Sequence, residues 1–394
     1  MKKIIVLVLS GILFSGVNSC WAVKKKQTPE QVKIVYLTLL EKPRPKLSNL
    51  DLPIENEGIQ GGEIGIRDTN GTGRFMNQEF SLQTIKIPYN GDVIGTFRKL
   101  QKEGIQLFIL NIPSGKLLEL ADLPEAKESL LFNVGATADR LRYQDCRTNI
   151  LHILPSAAMQ ADALAQFLIS KRWKKWFLVI GRREEDRLYA AAMRRAAKRF
   201  GGKIVAEKIW EYGPDARRTA QAEVPVFTQS VDYDVLLVAD VIGEFGEYLM
   251  YRTWEPKVIA GTQGLVPTSW HRTHEQWGAV QMQSRFLKTY GRMMTPLDYS
   301  VWSAVRAIGE GATRTRSVKF RNIRNYIQGE KFVLAAYKGQ KLTFRKWNGQ
   351  LRQPILLTAA RALVSVSPQR QFLHQFSQMD TLGYDRPEVK CEMQ

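Results

Sequence analysis

The feature that most constrains this chain is a repeated alternation of short, β-branched apolar runs with amphipathic helical segments. Val32–Leu39 (VKIVYLTL) is a near-continuous apolar strand. Ile59–Asp68 reads as a helix that ends in the turn formers Asp68-Thr69-Asn70-Gly71-Thr72-Gly73. Glu79–Ile87 alternates as a strand, and Asp92–Lys102 is a helix stopped by Gly104 at the C′ position. Ile105–Leu110 is a buried strand, Lys116–Leu120 a short helix and Ser129–Val134 a further strand. Parallel strands need crossover helices to join them, so repeated units of this spacing predict a parallel, doubly wound sheet.

A second series follows. Ser156 is placed to cap a helix running to Ser170, with Met159, Ala163, Phe167 and Leu168 on one face. Trp176–Ile180 is a strand, Glu184–Phe200 a helix stopped by Gly201-Gly202, and Lys203–Trp210 the next strand. Asp234–Ala239 and Lys257–Ala260 are again buried strands. At 394 residues the chain suits two units of about 100–200 each, so the pattern predicts an α/β protein of two Rossmann-like lobes. Helices are expected over Met282–Tyr290 and Leu297–Ala312. Lys331–Ala336 and Leu342–Trp347 read as strands meeting at Gly339, with Gln353–Thr358 pairing beyond the Asn348-Gly349 turn. The polar stretch from Ser367 to Gln394 offers Phe372, Phe376 and Tyr384 as anchors.

The first 22 residues stand apart. Lys2 and Lys3 precede the apolar run Ile4–Val17, which has the layout of a secretory signal peptide and is short for a bilayer span. Cleavage is expected after Ala22; the alternative is a lipoprotein cut before Cys20, for which Val17-Asn18-Ser19-Cys20 is a poor recognition sequence. Losing residues 1–22 removes two Lys and no acid, so the formal charge falls from +19 to +17. That charge favours anionic surroundings, an acidic ligand or partner among them, or simply suits a bacterial envelope. Export argues against nucleic acid. Cys146 and Cys391 then remain, and an oxidising compartment lets them form a disulfide worth roughly 4–5 kcal/mol by chain entropy. Two free thiols are the alternative.

Four stretches resemble the type I periplasmic binding proteins of the branched-chain amino-acid and amide class, over residues 32–360. Gly61-Gly62-Glu63-Ile64-Gly65-Ile66-Arg67-Asp68 resembles the first-lobe helix leading into its Asp-Asn turn. Ile112-Pro113-Ser114-Gly115 resembles the loop after the third strand. Leu154-Pro155-Ser156, with Gln160 and Ala163-Leu164-Ala165, resembles the crossover into lobe two. Leu178-Val179-Ile180 to Asp186, with Gly201-Gly202, resembles that lobe's first βαβ unit. Within the class, the chain looks most similar to the subset accompanying PQQ-dependent alcohol oxidation. Asp68-Thr69-Asn70-Gly71-Thr72-Gly73-Arg74-Phe75, Asp145-Cys146-Arg147 and Asp385-Arg386-Pro387 with Cys391 carry that likeness.

The resemblance implies two hinged lobes with the ligand between them. The boundaries expected are a signal peptide over 1–22, lobe 1 over 32–152 plus about 280–345, lobe 2 over 153–279 plus about 346–366, and a tail over 367–394. By resemblance, lobe 1 offers Ser114 with Gly115, and Ala136 with Thr137, as carboxylate donors. Lobe 2 offers Asp186, Arg187, Asp240 and Gln263 from loops after its strands. Relatives often place an aromatic near Arg187 and an acid near Gln263 to hold an ammonium group, and neither is here. Asp240 is the candidate replacement; Arg187 suits a carboxylate or phosphate. Further departures are Glu41-Lys42-Pro43-Arg44-Pro45 in place of a Gly-rich turn, and His152 and Ala157 where Arg and Asp are usual.

Signals for other chemistry are weak. His271-x-x-His274 with Glu275 lacks further metal ligands and reads as a surface loop. Lys171-Arg172-Trp173-Lys174-Lys175-Trp176 reads as Trp packing beside a cationic helix end rather than a nucleic-acid groove. No nucleophile and base constellation and no phosphate loop occurs, so no enzyme, cofactor or metal is expected. The resulting expectation is a monomeric, exported solute-binding protein. It would pass a small anionic or zwitterionic molecule to an ABC transporter permease. The alternative is a sensor or partner-binding protein on the same fold with a degenerate cleft.

Overall fold

A computed structural model describes residues 28–42, 53–211 and 216–391. The signal-peptide region with Cys20, the Pro43-Arg44-Pro45 departure and the last three residues lie outside them.

Strands β1 (Glu30–Leu39), β2 (Gln78–Ile87), β3 (Leu107–Asn111), β4 (Leu130–Asn133) and β5 (Ile150–His152) form a five-stranded parallel sheet in the order β2-β1-β3-β4-β5. A second parallel sheet, β7-β6-β8-β9, is built from β6 (Lys175–Ile180), β7 (Lys203–Ile209), β8 (Val235–Ala239) and β9 (Val258–Gly261). Apolar runs are needed here because both faces of each sheet are covered. Val32, Ile34 and Tyr36 enter one core while the alternate residues Val35 and Leu37 enter another. In β6 the same alternation sends Trp176, Leu178 and Ile180 one way and Phe177 and Val179 the other.

Helices cover all four faces. In the first lobe, α1 (Ile59–Gly73) lies on one side; α2 (Val93–Lys102) and α3 (Ser114–Ala121) pack on the other, and the short α4 (Arg140–Tyr143) follows β4. The second lobe carries α5 (Ala157–Ser170) and α6 (Glu184–Phe200) on one face, and α7 (Ala216–Thr228) and α8 (Gly246–Leu249) on the other. After β10 (Val266–Thr268) the chain returns to the first lobe, where α9 (Ala279–Tyr290), α10 (Pro296–Thr315) and α11 (Phe320–Ile327) join α1's side. Two small antiparallel sheets follow. One joins β11 (Leu334–Ala335), β12 (Lys341–Phe344) and β13 (Leu351–Arg352); the other joins β10, β14 (Ile355–Ala359) and β15 (Ala362–Ser367). A tail with short 3-10 turns runs on to residue 391.

The Ser156 cap and the Gly201 stop act as expected from the sequence, and the structure adds a cap at Asp92. The Asp92 carboxylate accepts from Gly95 N, Ser156 Oγ accepts from Met159 N, and Gly201 ends α6 at φ 83°. Trp176 is fully buried and donates its Nε1–H to Trp173 O, so the basic-aromatic run is core packing.

Three expectations need correction. The helix does not stop at Asp68 but runs through the turn formers to Gly73. Those residues serve tertiary contacts instead: Thr69 is buried against α10, where a side chain on Gly309 would come within 2.4 Å of its Cγ2. Asn70 exchanges two hydrogen bonds with the Phe80 backbone, imitating a strand neighbour. Second, Gln353–Thr358 does not pair back across the Asn348-Gly349 turn: β13 does, while β14 joins β10 and β15. Third, His274 lies in no surface loop. It is buried, hydrogen-bonded to Tyr337 O at 2.7 Å and set edge-on against Trp270. Helices α7 and α11 and strand β15 carried no strong sequence signal.

Candidate functional site

All eight residues singled out from the sequence lie beyond the carboxyl ends of parallel strands: β3 and β4 in the first lobe, β6, β8 and β9 in the second. There the sheet's backbone groups end and loops are free to carry function.

In the first lobe the loop after β4 is held by a buried polar network. Asn133 Oδ1 accepts from Ala136 N at 2.8 Å, and its Nδ2 donates to Ala136 O at 2.8 Å and meets His152 Nδ1 at 2.9 Å. Arg142 donates to Ala136 O and Ala138 O and, through Nε, to Gln350 Oε1 at 2.9 Å. Gln350 in turn donates to His152 O and Leu154 O across the chain's first passage between lobes. Burial pushes the Arg142 guanidinium down to about 9, with Asp139 partly offsetting it. Burial, and then the Arg142 charge, holds His152 far below its usual range, so its ring is neutral and accepts at Nδ1. Ala136 therefore has its N–H and C=O engaged inside the protein. Thr137 gives its carbonyl to Ala157 N at 3.0 Å and keeps its hydroxyl without a partner among the described residues. Ser114 opens α3, so the first-turn N–H groups of Ser114 and Gly115 lack helical partners. Gly115 is exposed, with open space where a side chain would point.

The second lobe is built differently. Asp240 accepts from three successive backbone N–H groups, Glu244, Phe245 and Gly246, at 2.8, 2.8 and 2.7 Å. Asp186 accepts from Val241 N at 2.7 Å and Arg183 N at 3.2 Å, and desolvation raises its carboxyl above the ordinary range. Gly181 has no room for a side chain, which would meet Asp186 Oδ2 at 2.1 Å. Gln263 packs beside Gly246, so Asp186, Asp240 and Gln263 form one cluster. Arg187 is exposed and makes no ion pair among the described residues. No hydrogen bond or ion pair joins the four first-lobe residues to the four second-lobe ones among the described residues.

Sequence reading missed Asn133, Arg142 and Gln350. Asn111 and Asn133, polar residues closing otherwise apolar strands, were the available signal; Gln350 was not, because its partners lie some 200 positions away. Two concavities lie elsewhere. One of about 810 Å³, lined by Arg67, Asn70, Arg74 and Glu79, sits at the amino ends of β1 and β2. Another of about 500 Å³, lined by Gln221, Pro225, Met250 and Tyr251, borders α7 and α8. Neither touches the eight residues. Among the described residues, no group of three or more His, Cys, Asp or Glu is arranged to hold a metal.

No family model and no curated protein matches the sequence. Solved structures do match. A periplasmic binding protein from Burkholderia mallei superposes at a TM-score of 0.67 with 15% identity, covering 92% of this chain and 98% of that one. A branched-chain amino-acid ABC transporter periplasmic ligand-binding protein from Burkholderia xenovorans gives 0.66 and 17%, over 84% and 91% of the two chains. A leucine-, isoleucine-, valine-, threonine- and alanine-binding protein from Brucella ovis, in a closed conformation, gives 0.69 and 14%, over 93% and 99%. The chain has the type I periplasmic binding protein fold.

Proposed function

We propose that this chain is the exported solute-binding component of an ABC transporter. It holds one small anionic solute between lobe 1 (32–152 with about 280–345) and lobe 2 (153–279 with about 346–366). The single observation carrying this reading is the pair of parallel sheets whose carboxyl-end loops bear donors and an exposed arginine. Ser114 Oγ, the Ser114 and Gly115 N–H groups and Thr137 Oγ1 would receive a carboxylate, aided by the start of α3. Arg187 would neutralise it, or a second acidic group, from the other lobe. Asp240 already accepts from three backbone donors and is buried, which disfavours a free α-ammonium partner and hence an ordinary amino acid. A substrate or product of PQQ-dependent alcohol oxidation that ends as an acid fits this donor set. The chain would be delivered to the periplasm by residues 1–22 and would act as a monomer, without cofactor or bond chemistry.

The degenerate-cleft alternative draws support from Ala136, Asp186 and Asp240, whose polar groups are engaged internally. Thermal unfolding against a panel of small acids, amino acids, alcohols and the quinone cofactor separates the readings. A true ligand at 100 times its Kd adds about 2.7 kcal/mol of stability. A response to short-chain acids that Arg187→Ala roughly halves, to about 1.4 kcal/mol at the same concentration, supports anion capture. Silence across the whole panel, with a folded protein, overturns it.

A further inference from the structure

Residues 367–391 make contacts on both lobes in close succession. The segment leaves β15 on the second lobe: Ser367 Oγ donates to Ala163 O at 2.8 Å and Gln369 N to Gln166 Oε1 at 2.9 Å. Leu382 is fully buried in the second lobe's core. Gly383 N donates to the buried Asp162 carboxylate at 2.8 Å, and Gly383 O accepts from Arg195 and Arg199, which also pair with Asp162.

Neighbouring residues bind the first lobe. Asp380 Oδ1 accepts from Arg345 Nε and Arg352 Nε, both at 2.8 Å. Arg345 closes the first-lobe strand β12, whose Leu342 and Phe344 lie in that lobe's core, and Arg352 lies in β13, within the crossover that follows, where Leu351 still packs in the same core. Arg345 is 1% exposed and donates further to Met379 O and Leu382 O. Tyr384 lies between the lobes: its ring stacks on Tyr143 at 4.5 Å, while Arg195 of α6 covers it at 4.2 Å. Beyond it, Lys390 N and Cys391 N both donate to Tyr143 O, and Cys391 is joined to Cys146 with Cα atoms 5.8 Å apart.

We propose that this tail is an interlobe strap that sets the angle between the lobes and restrains their opening, with the Cys146–Cys391 disulfide as its catch. A hinge rotation moves facing surfaces by several ångströms. Contacts at 2.8 Å to one lobe and 2.7 Å to the other, from residues three apart, oppose any rotation that separates their two anchor points. Opening would strip Asp380 from the buried Arg345 and the half-buried Arg352, or Tyr384 from its stack, leaving the Arg345 charge buried without a partner. The gap between the strand ends is therefore largely preset, and selection falls to the loops that line it more than to closure.

The test measures interlobe distances by pulsed electron resonance, in the full oxidised chain. Spin labels are attached through an encoded ketone-bearing residue replacing the exposed Glu119 of α3 and Lys198 of α6. One narrow distribution is expected. Asp380→Ala with Tyr384→Ala should add a longer-distance population, raising the open fraction by about 100-fold or more. Cys146→Ser with Cys391→Ser should broaden the distribution less. If the first pair fails to fold by circular dichroism, Tyr384→Leu, which keeps bulk and removes the stack, takes its place. A native distribution already as broad as the variants', or folded variants as narrow as the native chain, overturns the strap.

Discussion

The two lobes end their parallel strands in opposite chemical states. Beyond β3, Ser114 and Gly115 keep polar groups available because they open α3, and beyond β4 Thr137 does so while Asn133 and Arg142 hold its loop from behind. Beyond β6 and β8, the conspicuous carboxylates Asp186 and Asp240 are themselves scaffold, engaged by backbone N–H groups of the 183–186 and 241–246 stretches. A charged residue type at a strand end thus says little about ligand binding until its lone pairs are accounted for. In this molecule the neutral loop is the open one.

That contrast is easily broken. Asp240→Ala orphans three N–H groups and is expected to cost about 3 kcal/mol in urea unfolding, while the same change at Arg187 leaves stability within about 0.5 kcal/mol. Equal costs at both positions would erase the distinction. Arg187→Ala should instead weaken an acidic ligand roughly tenfold, close to 1.4 kcal/mol by calorimetry, with no effect on a neutral one. A gentler probe is pH. His152 titrates normally at 6.5 when unfolded but stays neutral when folded, so the unfolded chain takes up the proton first. Its contribution is intact above that pH and is lost below it, at up to about 1.4 kcal/mol per pH unit. His152→Gln should flatten the stability curve between about pH 6.5 and 5; an unchanged slope would show that the ring is solvated. Smallest is Ser114→Ala, expected to reduce affinity about fivefold, roughly 1 kcal/mol, with stability unmoved. A stability loss in place of an affinity loss would make Ser114 part of the scaffold too.

The preset gap sharpens the same comparison. If the tail holds the lobes, the open loop of one and the engaged loops of the other face a space of fixed width. Affinity differences among acids should then track ligand size as well as charge.

Much of the architecture was legible because its causes are local. Alternating burial of Trp176 to Ile180, the Asp92 and Ser156 caps and the Gly201 stop each act within a few residues, so the βαβ rhythm, the two lobes and most helices follow from the chain alone. The positions at strand ends were legible for the same reason. What each position does was not. Asp186 and Asp240 look like ligands until the 241–246 loop folds back on them, and the Asp68–Gly73 turn formers become helix because α10, some 230 residues later, gives Thr69 a glycine to pack against. The Arg345–Asp380 pair and the Tyr143–Tyr384 stack likewise join residues whose nearness only the assembled chain creates. Periodicity determined the elements, because burial repeats with the backbone. Hydrogen-bond saturation and the bridging of lobes were decided in three dimensions, because a polar group's partner is set by distance in space.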